Sequence, residues 1–407
     1  MNTTRSRPVY LQRPGIICAL GDDAATVART LFAAGGSGVV EAWRQIPQPA
    51  HPRALPEAFL AGLPIPAGWP AVAGRTAHLL LAAARQIDDA VHRAIAEHGA
   101  HRVGLVLDTS TGGIHHGGQA LQAQRANGRF PPGYDYRDQM LGVPAELLAR
   151  RWQLTGPCQT VATACTSGGV ALMSARRLLQ LGVCDAVVCG GADGLAAMPL
   201  QGFAALSATS AVACNPFSRN RNGINIGEGA ALFVMSREPG PVALLGAAAN
   251  ADAWHMAAPR PDGQGAITLM RAALRDAGLA AGDIDYLNLH GTATLQNDAM
   301  ESRAVEAVFP QGVPCSSTKP LTGHTLGAAA AIEAALLWLT LVDNPQARLP
   351  PHLWDGEQDP DNPVIELVGM ASDRPGRPAR SGGARRLMSN SFAFGGSNVS
   401  LILGDGP

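Results

Sequence analysis

Charged side chains are scarce in this sequence. Asp, Glu, Lys and Arg make up 15% of its 407 residues and cancel to a formal net charge of −1. That balance supplies no global attraction to nucleic acid or to an anionic membrane surface. Long apolar runs are missing too. Nothing approaches the roughly 18 uninterrupted apolar residues of a membrane span, and Glu333 interrupts the Ala-rich run at 326–342. Cysteine is sparse and irregular: seven residues, an odd number, without the spacing of a disulfide framework. Residues 1–8 are polar and carry no apolar segment of the secretory kind. The expectation is a reduced, cytoplasmic protein. What is present is apolar, 46% of residues, which excludes a disordered chain and allows two or three domain-sized units. Low surface charge also suits a large buried subunit contact.

Short β-branched runs alternate with longer Ala/Leu-rich stretches, the pattern of an α/β protein with buried parallel strands. Strands are expected at 103–107, 160–163, 186–189, 231–235, 242–247, 286–289, 364–367 and 399–403. Helices are expected at 76–97, 167–181, 265–277, 298–308 and 326–342. Pro, Gly and Asn enrichment marks 47–70, 215–229 and much of 343–380 as surface loops. A change of register at Gly240-Pro241 divides residues 1–240 from 241–407, with strand–helix–strand units beginning again after it.

Four motifs bear chemistry. Val161-Ala162-Thr163-Ala164-Cys165-Thr166-Ser167-Gly168-Gly169 puts a thiol where a strand gives way to a helix. Free amides at a helix start stabilise a thiolate, which can accept an acyl group; taken alone, the position has a buried structural cysteine as its default reading. His290 ends the apolar strand in Leu289-His290-Gly291-Thr292-Ala293-Thr294, at a carboxyl strand edge where open α/β sheets build sites. His324, in Lys319-Pro320-Leu321-Thr322-Gly323-His324, precedes the Ala-rich helix, a place that disfavours the imidazolium. Finally, Asn390-Ser391-Phe392-Ala393-Phe394-Gly395-Gly396-Ser397-Asn398 is a glycine-rich turn whose amides can face a cavity.

Together and in this order, these motifs resemble a β-ketoacyl-acyl carrier protein synthase of the elongating Cys–His–His type, in the thiolase-like superfamily. The resemblance runs from about Arg7 to the C-terminus. It implies two similar βαβαβαββ halves in a five-layered α-β-α-β-α core. It also implies that Cys165 takes an acyl chain as a thioester, while His290 and His324 stabilise the enolate left when a malonyl thioester loses carbon dioxide. Lys319 then supports the site, paired with Glu301, and the backbone amides of Cys165 and Phe394 form an oxyanion hole. Thr292 and Thr294 match positions that bind a phosphopantetheine arm, and Phe394 matches a gate. The implied partners are acyl carrier protein and a second subunit, either identical or a chain-length-factor-like relative. No metal or other cofactor is implied. The competing expectations are a chain-length-factor-like subunit without catalysis, a degradative thiolase, or a Cys–His–Asn initiating enzyme.

The chain departs from the family pattern in places. Pro216-Phe217-Ser218 and Arg221-Asn222-Gly223 lack two carboxylates that the family often carries, and Ala393 replaces a usual glycine. These departures suggest a specialised polyketide or aryl-polyene type role. Blander readings stand beside the sharp ones. Lys319 and Glu301 could be an ordinary ion pair, Thr292 and Thr294 helix caps, and Phe392 and Phe394 core. Cys18, Cys158, Cys184, Cys189, Cys214 and Cys315 fill core space. His115-His116 lacks an evident third ligand for a metal, and Gly190-Gly191-Ala192-Asp193-Gly194 reads as a strand-to-helix turn. Arg219 and Arg221 are candidates for a basic docking patch, or simply a solvated loop.

Overall fold

The computed structural model describes residues 8–36, 38–48, 50–60, 74–369 and 384–406. Parts of the expected loops at 47–70 and 343–380 lie outside these residues.

Eleven strands follow one another along the chain: β1 Val9–Leu11, β2 Gly15–Ile17, β3 Val103–Asp108, β4 Cys158–Val161, β5 Ala186–Asp193, β6 Gly229–Ser236, β7 Val242–Ala251, β8 Tyr286–Asn288, β9 Cys315–Ser316, β10 Arg386–Phe392 and β11 Ser397–Asp405. The first set is ordered β4-β3-β5-β6 with β2 on the far edge of β6; the second is ordered β9-β8-β10-β11-β7. Directions match as well. β3 runs parallel to β4 and β5, and β6 antiparallel to β5 and β2; β8 runs parallel to β9 and β10, and β11 antiparallel to β10 and β7. β1 pairs with both β6 and β7 and joins the sets into one ladder.

Strands β3, β5 and β6 are buried along their whole length, as continuous apolar runs covered on both faces require. The outer cover of the first set is the helix Gly74–His98, packed on β2, β5 and β6. The outer cover of the second is Gln264–Ala277, with Leu295–Val308 beside it. Between the sets lie Ser167–Gln180 and Ala329–Val342, each touching strands of both. The result is the five-layered, thiolase-like α-β-α-β-α arrangement. Apart from Glu333 and Thr340, Ala329–Val342 is apolar, and it is almost entirely buried, as a central-layer helix must be. The two central helices approach so closely that a Cβ on Gly168 would lie 2.5 Å from the Ala331 nitrogen.

Several expectations need correction. Residues 364–367 form no strand; Leu367 makes only an isolated parallel bridge to Cys315. The helix expected from 326 begins at Ala329, after a single 3₁₀ turn at Leu326–Ala328. The supposed surface loop at 215–229 is largely buried. Its polar groups find partners elsewhere in the fold: Asn225 accepts from the Cys214 amide and donates to the carbonyls of Ser210 and Val212, and the Phe217 amide donates to Asp298. Cys158 is exposed rather than core; the other five cysteines besides Cys165 are buried.

Candidate active site

Cys165 lies in the turn between β4 and the helix Ser167–Gln180, one residue before the N-cap Thr166. The turn is built by hydroxyls. Thr166 Oγ1 donates to the Thr163 carbonyl (2.7 Å), and Ser167 Oγ donates to the Ala164 carbonyl (2.6 Å) while accepting from the Thr163 amide (2.8 Å). Ala164 is forced to φ +54°, a strained conformation for a residue with a Cβ. Phe217, Ala293 and Leu326 show the same strain; they neighbour Ser218, Thr292 and Thr325 in the loops around the site.

His290 follows β8 and is fixed by its backbone. The amides of His290 and Gly291 donate to the two oxygens of Glu301, each at 2.8 Å. Gly291 has φ +40°, and a Cβ there would meet Ser317 Cβ at 2.5 Å. His324 is held through its own backbone: its amide donates to the Asn225 carbonyl (2.7 Å) and its carbonyl accepts from Gly227 (3.0 Å). These anchors bring the three groups together. His324 Nε2 lies 3.1 Å from Cys165 Sγ, and the rings of His290 and His324 meet edge to face with centroids 5.4 Å apart. Phe392 packs edge-on against His290 at 5.8 Å. Cys165, His290, His324, Thr292, Thr294 and Phe394 all line one cavity of about 430 Å³.

The electrostatics differ from the sequence expectation at the thiol. Burial pushes Cys165 up to about 12, only partly opposed by the Lys319 ammonium. The expected stabilised thiolate is therefore corrected: the buried environment favours the thiol. Burial, then Lys319, hold both imidazoles well below the ordinary histidine value, with His324 adding to the effect on His290. Both effects favour a neutral thiol beside a neutral imidazole. Among the described residues Nδ1 of each ring is buried without a hydrogen-bond partner, so no protein group locks either ring in one tautomer.

Lys319 and Glu301 do not pair. Lys319 Nζ donates to Glu333 Oε1 at 2.5 Å, both side chains being buried. Glu333 projects from the first turns of the Ala-rich helix, while Glu301 is occupied by the His290–Gly291 backbone. Burial pushes Glu301 up to about 8. Lys319 is the sole lysine among the 31 basic residues of the chain, and this compositional rarity by itself singles the position out.

Thr294 occupies the N-cap of Leu295–Val308 but makes no side-chain cap bond; its Oγ1 lies 3.0 Å from that of Thr292 at the cavity wall. In the turn after β10, the amides of Ala393, Gly395 and Gly396 donate to Ser397, Met256 and Ala393 carbonyls. The Phe394 amide has no acceptor among the described residues. The Phe394 ring is 38% exposed and stacks on Phe203 at 5.4 Å. Gly395 and Gly396 carry the positive φ of this turn and Ala393 does not, so the extra methyl is accommodated. Arg221 is no docking residue: it is buried against Asp359. Arg219 is exposed beside Glu357. His115 and His116 form an edge-to-face pair and belong to no metal-ligand cluster among the described residues.

Comparison with known proteins agrees with this geometry. Residues 73–239 match the model of the beta-ketoacyl synthase N-terminal domain, and residues 242–353 that of the C-terminal domain. The 3-oxoacyl-[acyl-carrier-protein] synthase 2 of Rhizobium meliloti (strain 1021) is 35% identical, over 74% of this chain and 73% of that protein. Its counterpart in Coxiella burnetii is 33% identical over 76% and 77%. Among solved structures, a ketosynthase (ApeO) in complex with its chain length factor (ApeC) from Xenorhabdus doucetiae is 39% identical. It aligns over 100% of both chains with a TM-score of 0.83. The ishigamide ketosynthase/chain length factor is 26% identical over 98% and 99%, with a TM-score of 0.78. Matched in both domains and by relatives of this identity and coverage, the chain belongs to the beta-ketoacyl synthase family of acyltransferases.

Proposed function

We propose that the protein performs decarboxylative Claisen condensation, joining an acyl thioester to malonyl-acyl carrier protein, with Cys165, His290, His324 and Lys319 as the reacting machinery. The observation that carries this reading is the 3.1 Å contact of His324 Nε2 with Cys165 Sγ, beside His290, in one cavity.

The neutral resting pair sets the first step. As the sulfur attacks the acyl thioester, its proton passes to His324 and then to the departing pantetheine thiol, leaving the acyl chain on Cys165. The amides of Cys165 and Phe394 receive the tetrahedral oxyanion. In the second half-reaction both imidazoles, uncharged and carrying their protons at Nε2, donate to the malonyl thioester carbonyl. Carbon dioxide leaves, the enolate carbon attacks the Cys165 thioester, and the expelled sulfur takes the proton of His324 Nε2, which solvent then restores. Buried donors of this kind contribute about 3–4 kcal/mol each to transition-state stabilisation. Burial, aided by Lys319, keeps the imidazoles uncharged, which lets His324 take the Cys165 proton. Glu301 fixes the His290–Gly291 backbone. Thr292 and Thr294 bind the phosphopantetheine amides, and Phe394 gates the acyl chamber.

The pantetheine arm of the carrier protein delivers both substrates, so the chemistry needs no resident cofactor and no metal. The partners follow: acyl carrier protein, and a second subunit, identical or a chain-length-factor-like relative, as in the complexes whose structures this chain resembles. The pathway is fatty acid, polyketide or aryl-polyene type biosynthesis, in the cytoplasm; among the described residues no helix is long and apolar enough to cross a membrane. A subunit that merely shapes a partner's tunnel has no use for a thiol and two imidazoles in contact.

Intact-mass spectrometry tests the reading. Incubation with an acyl-carrier thioester should add one acyl group at Cys165, and malonyl-carrier protein should then discharge it with release of carbon dioxide. Failure to acquire the adduct overturns the proposal.

A further inference from the structure

Asp193, the last residue of β5, is completely buried, yet among the described residues no cation pairs with it. Its carboxylate instead collects six hydrogen bonds. Oδ1 accepts from Thr109 Oγ1 (2.8 Å), the Ser110 and Thr111 amides (both 2.8 Å) and Thr111 Oγ1 (2.7 Å). Oδ2 accepts from Ser110 Oγ (2.6 Å) and from the Gly327 amide (2.7 Å). Each oxygen serves at least one backbone amide, and amides can only donate.

The neighbouring acid is arranged in the opposite way. Asp108 ends β3, is fully buried, and neither of its oxygens has a hydrogen-bond partner among the described residues. Burial and the Asp193 charge push it well above the usual carboxylate range. All the donors have gone to Asp193, and what they connect matters. Residues 109–111 belong to the loop after β3. Gly327 belongs to the turn that carries His324 into the central helix, beside the strained Leu326. One buried carboxylate thus ties the His324 turn to the scaffold of the cysteine's half of the molecule.

We propose that Asp193 is a positioning residue that holds the His324 imidazole against the Cys165 thiol by clamping Gly327 to the 109–111 loop. The inference rests on the ketosynthase reading. Asp193 does not touch the reacting atoms; it acts through the backbone of the His324 turn. An Asn side chain cannot substitute, because its NH₂ would face either amides or hydroxyls already committed as donors.

The test is the single-turnover rate of Cys165 self-acylation by an acyl-carrier thioester, followed by intact mass. D193N and S110A are compared, each in the wild-type and in the His324→Ala background. D193N should slow acylation by about tenfold or more and S110A by about two- to threefold, as expected for lost hydrogen bonds to a buried carboxylate. The thioester concentration giving half-maximal rate should not move. In the His324→Ala background neither substitution should slow acylation further, since the group being positioned is gone. Unchanged rates, or losses that multiply undiminished in the His324→Ala background, overturn the inference. If D193N does not fold, S110A, which removes a single half-buried hydroxyl, decides alone. Absence of any adduct in the unsubstituted protein would instead sink the ketosynthase reading itself.

Discussion

The two strand sets share one order and one pattern of directions, yet their carboxyl edges hold opposite chemistry. In the first, β4 reaches the central helix through the short connection 162–166, with room for one functional group, the Cys165 thiol. In the second, β9 reaches its central helix through 317–328, and this longer path carries both Lys319 and His324. After the strand that precedes these in each set, β3 leads to Asp108 and the hydroxyls of 109–111, whereas β8 leads to His290. The next strands differ at their ends too: β5 finishes on Asp193, while β10 runs into the Phe394 turn. One scaffold thus brings a thiol to one wall of the cavity, with two buried acids behind it, and two imidazoles to the other, with a buried ammonium behind them. Neither edge is a site by itself. The acceptor of the acyl group and the donors to the enolate come from different sets, and the shared central layer fixes the distance between them.

Deleting the thiol removes the contrast between the edges most completely. Cys165→Ala should lose self-acylation by about a thousandfold or more, with no adduct by intact mass, while thermal unfolding stays cooperative because only a small buried atom is removed. The imidazoles should then separate. His324 touches the thiol and His290 does not, so His324→Ala should slow acylation and malonyl decarboxylation, and His290→Ala mainly the latter. Each decarboxylation loss should be about 10²–10³-fold, the usual consequence of removing one oxyanion donor. Measuring the half-reactions separately checks this; equal acylation losses in the two variants would erase the distinction drawn between them.

Much of this asymmetry was legible in the chain. Cys165, His290 and His324 each sit in a Gly/Thr-rich junction between an apolar strand and a helix, and local composition marks such junctions well. What stayed hidden was long-range. Glu333 looked like a mere interruption of an apolar run; in the fold it is the partner of Lys319, a role the sequence reading gave to Glu301. The thiol was expected to benefit from a helix start, but composition does not reveal full burial, and burial dominates. Asn225 and Phe217 find hydrogen-bond partners at 210–214 and Asp298, so a loop-like composition ended up inside. Asp193 sat in a Gly-Gly-Ala-Asp-Gly stretch read as a turn. Its importance depends on donors roughly 80 residues upstream and 130 downstream, which no local pattern discloses.

The spacing between the two sets can be tested without touching a reactive group. Gly168→Ala would place a Cβ 2.5 Å from the Ala331 nitrogen and 2.9 Å from its Cβ, so the two central helices must part. Overpacking of this kind costs about 1–3 kcal/mol of stability. The melting temperature should fall, and acylation should slow only as far as the Cys165–His324 contact lengthens. A melting temperature equal to that of the unsubstituted protein would show that the central layer yields easily and does not set the distance.

The mildest change should be a displacement along the pH axis. Lys319 pushes His290 and His324 down, after burial itself, and it pairs with Glu333. Replacing both partners together, Lys319→Gln with Glu333→Gln, removes the charge while leaving a hydrogen-bonding pair of similar shape, which avoids stranding a buried acid. A protonated His324 has no lone pair left to take the Cys165 proton, so it cannot assist acylation. Without the ammonium the imidazoles protonate more easily, so their values rise toward 6.5. The acid limb of self-acylation should therefore move to higher pH, while the rate on the alkaline plateau changes less. A limb that stays in place would mean that burial alone keeps the imidazoles neutral, and that the lysine on the second edge serves packing rather than charge.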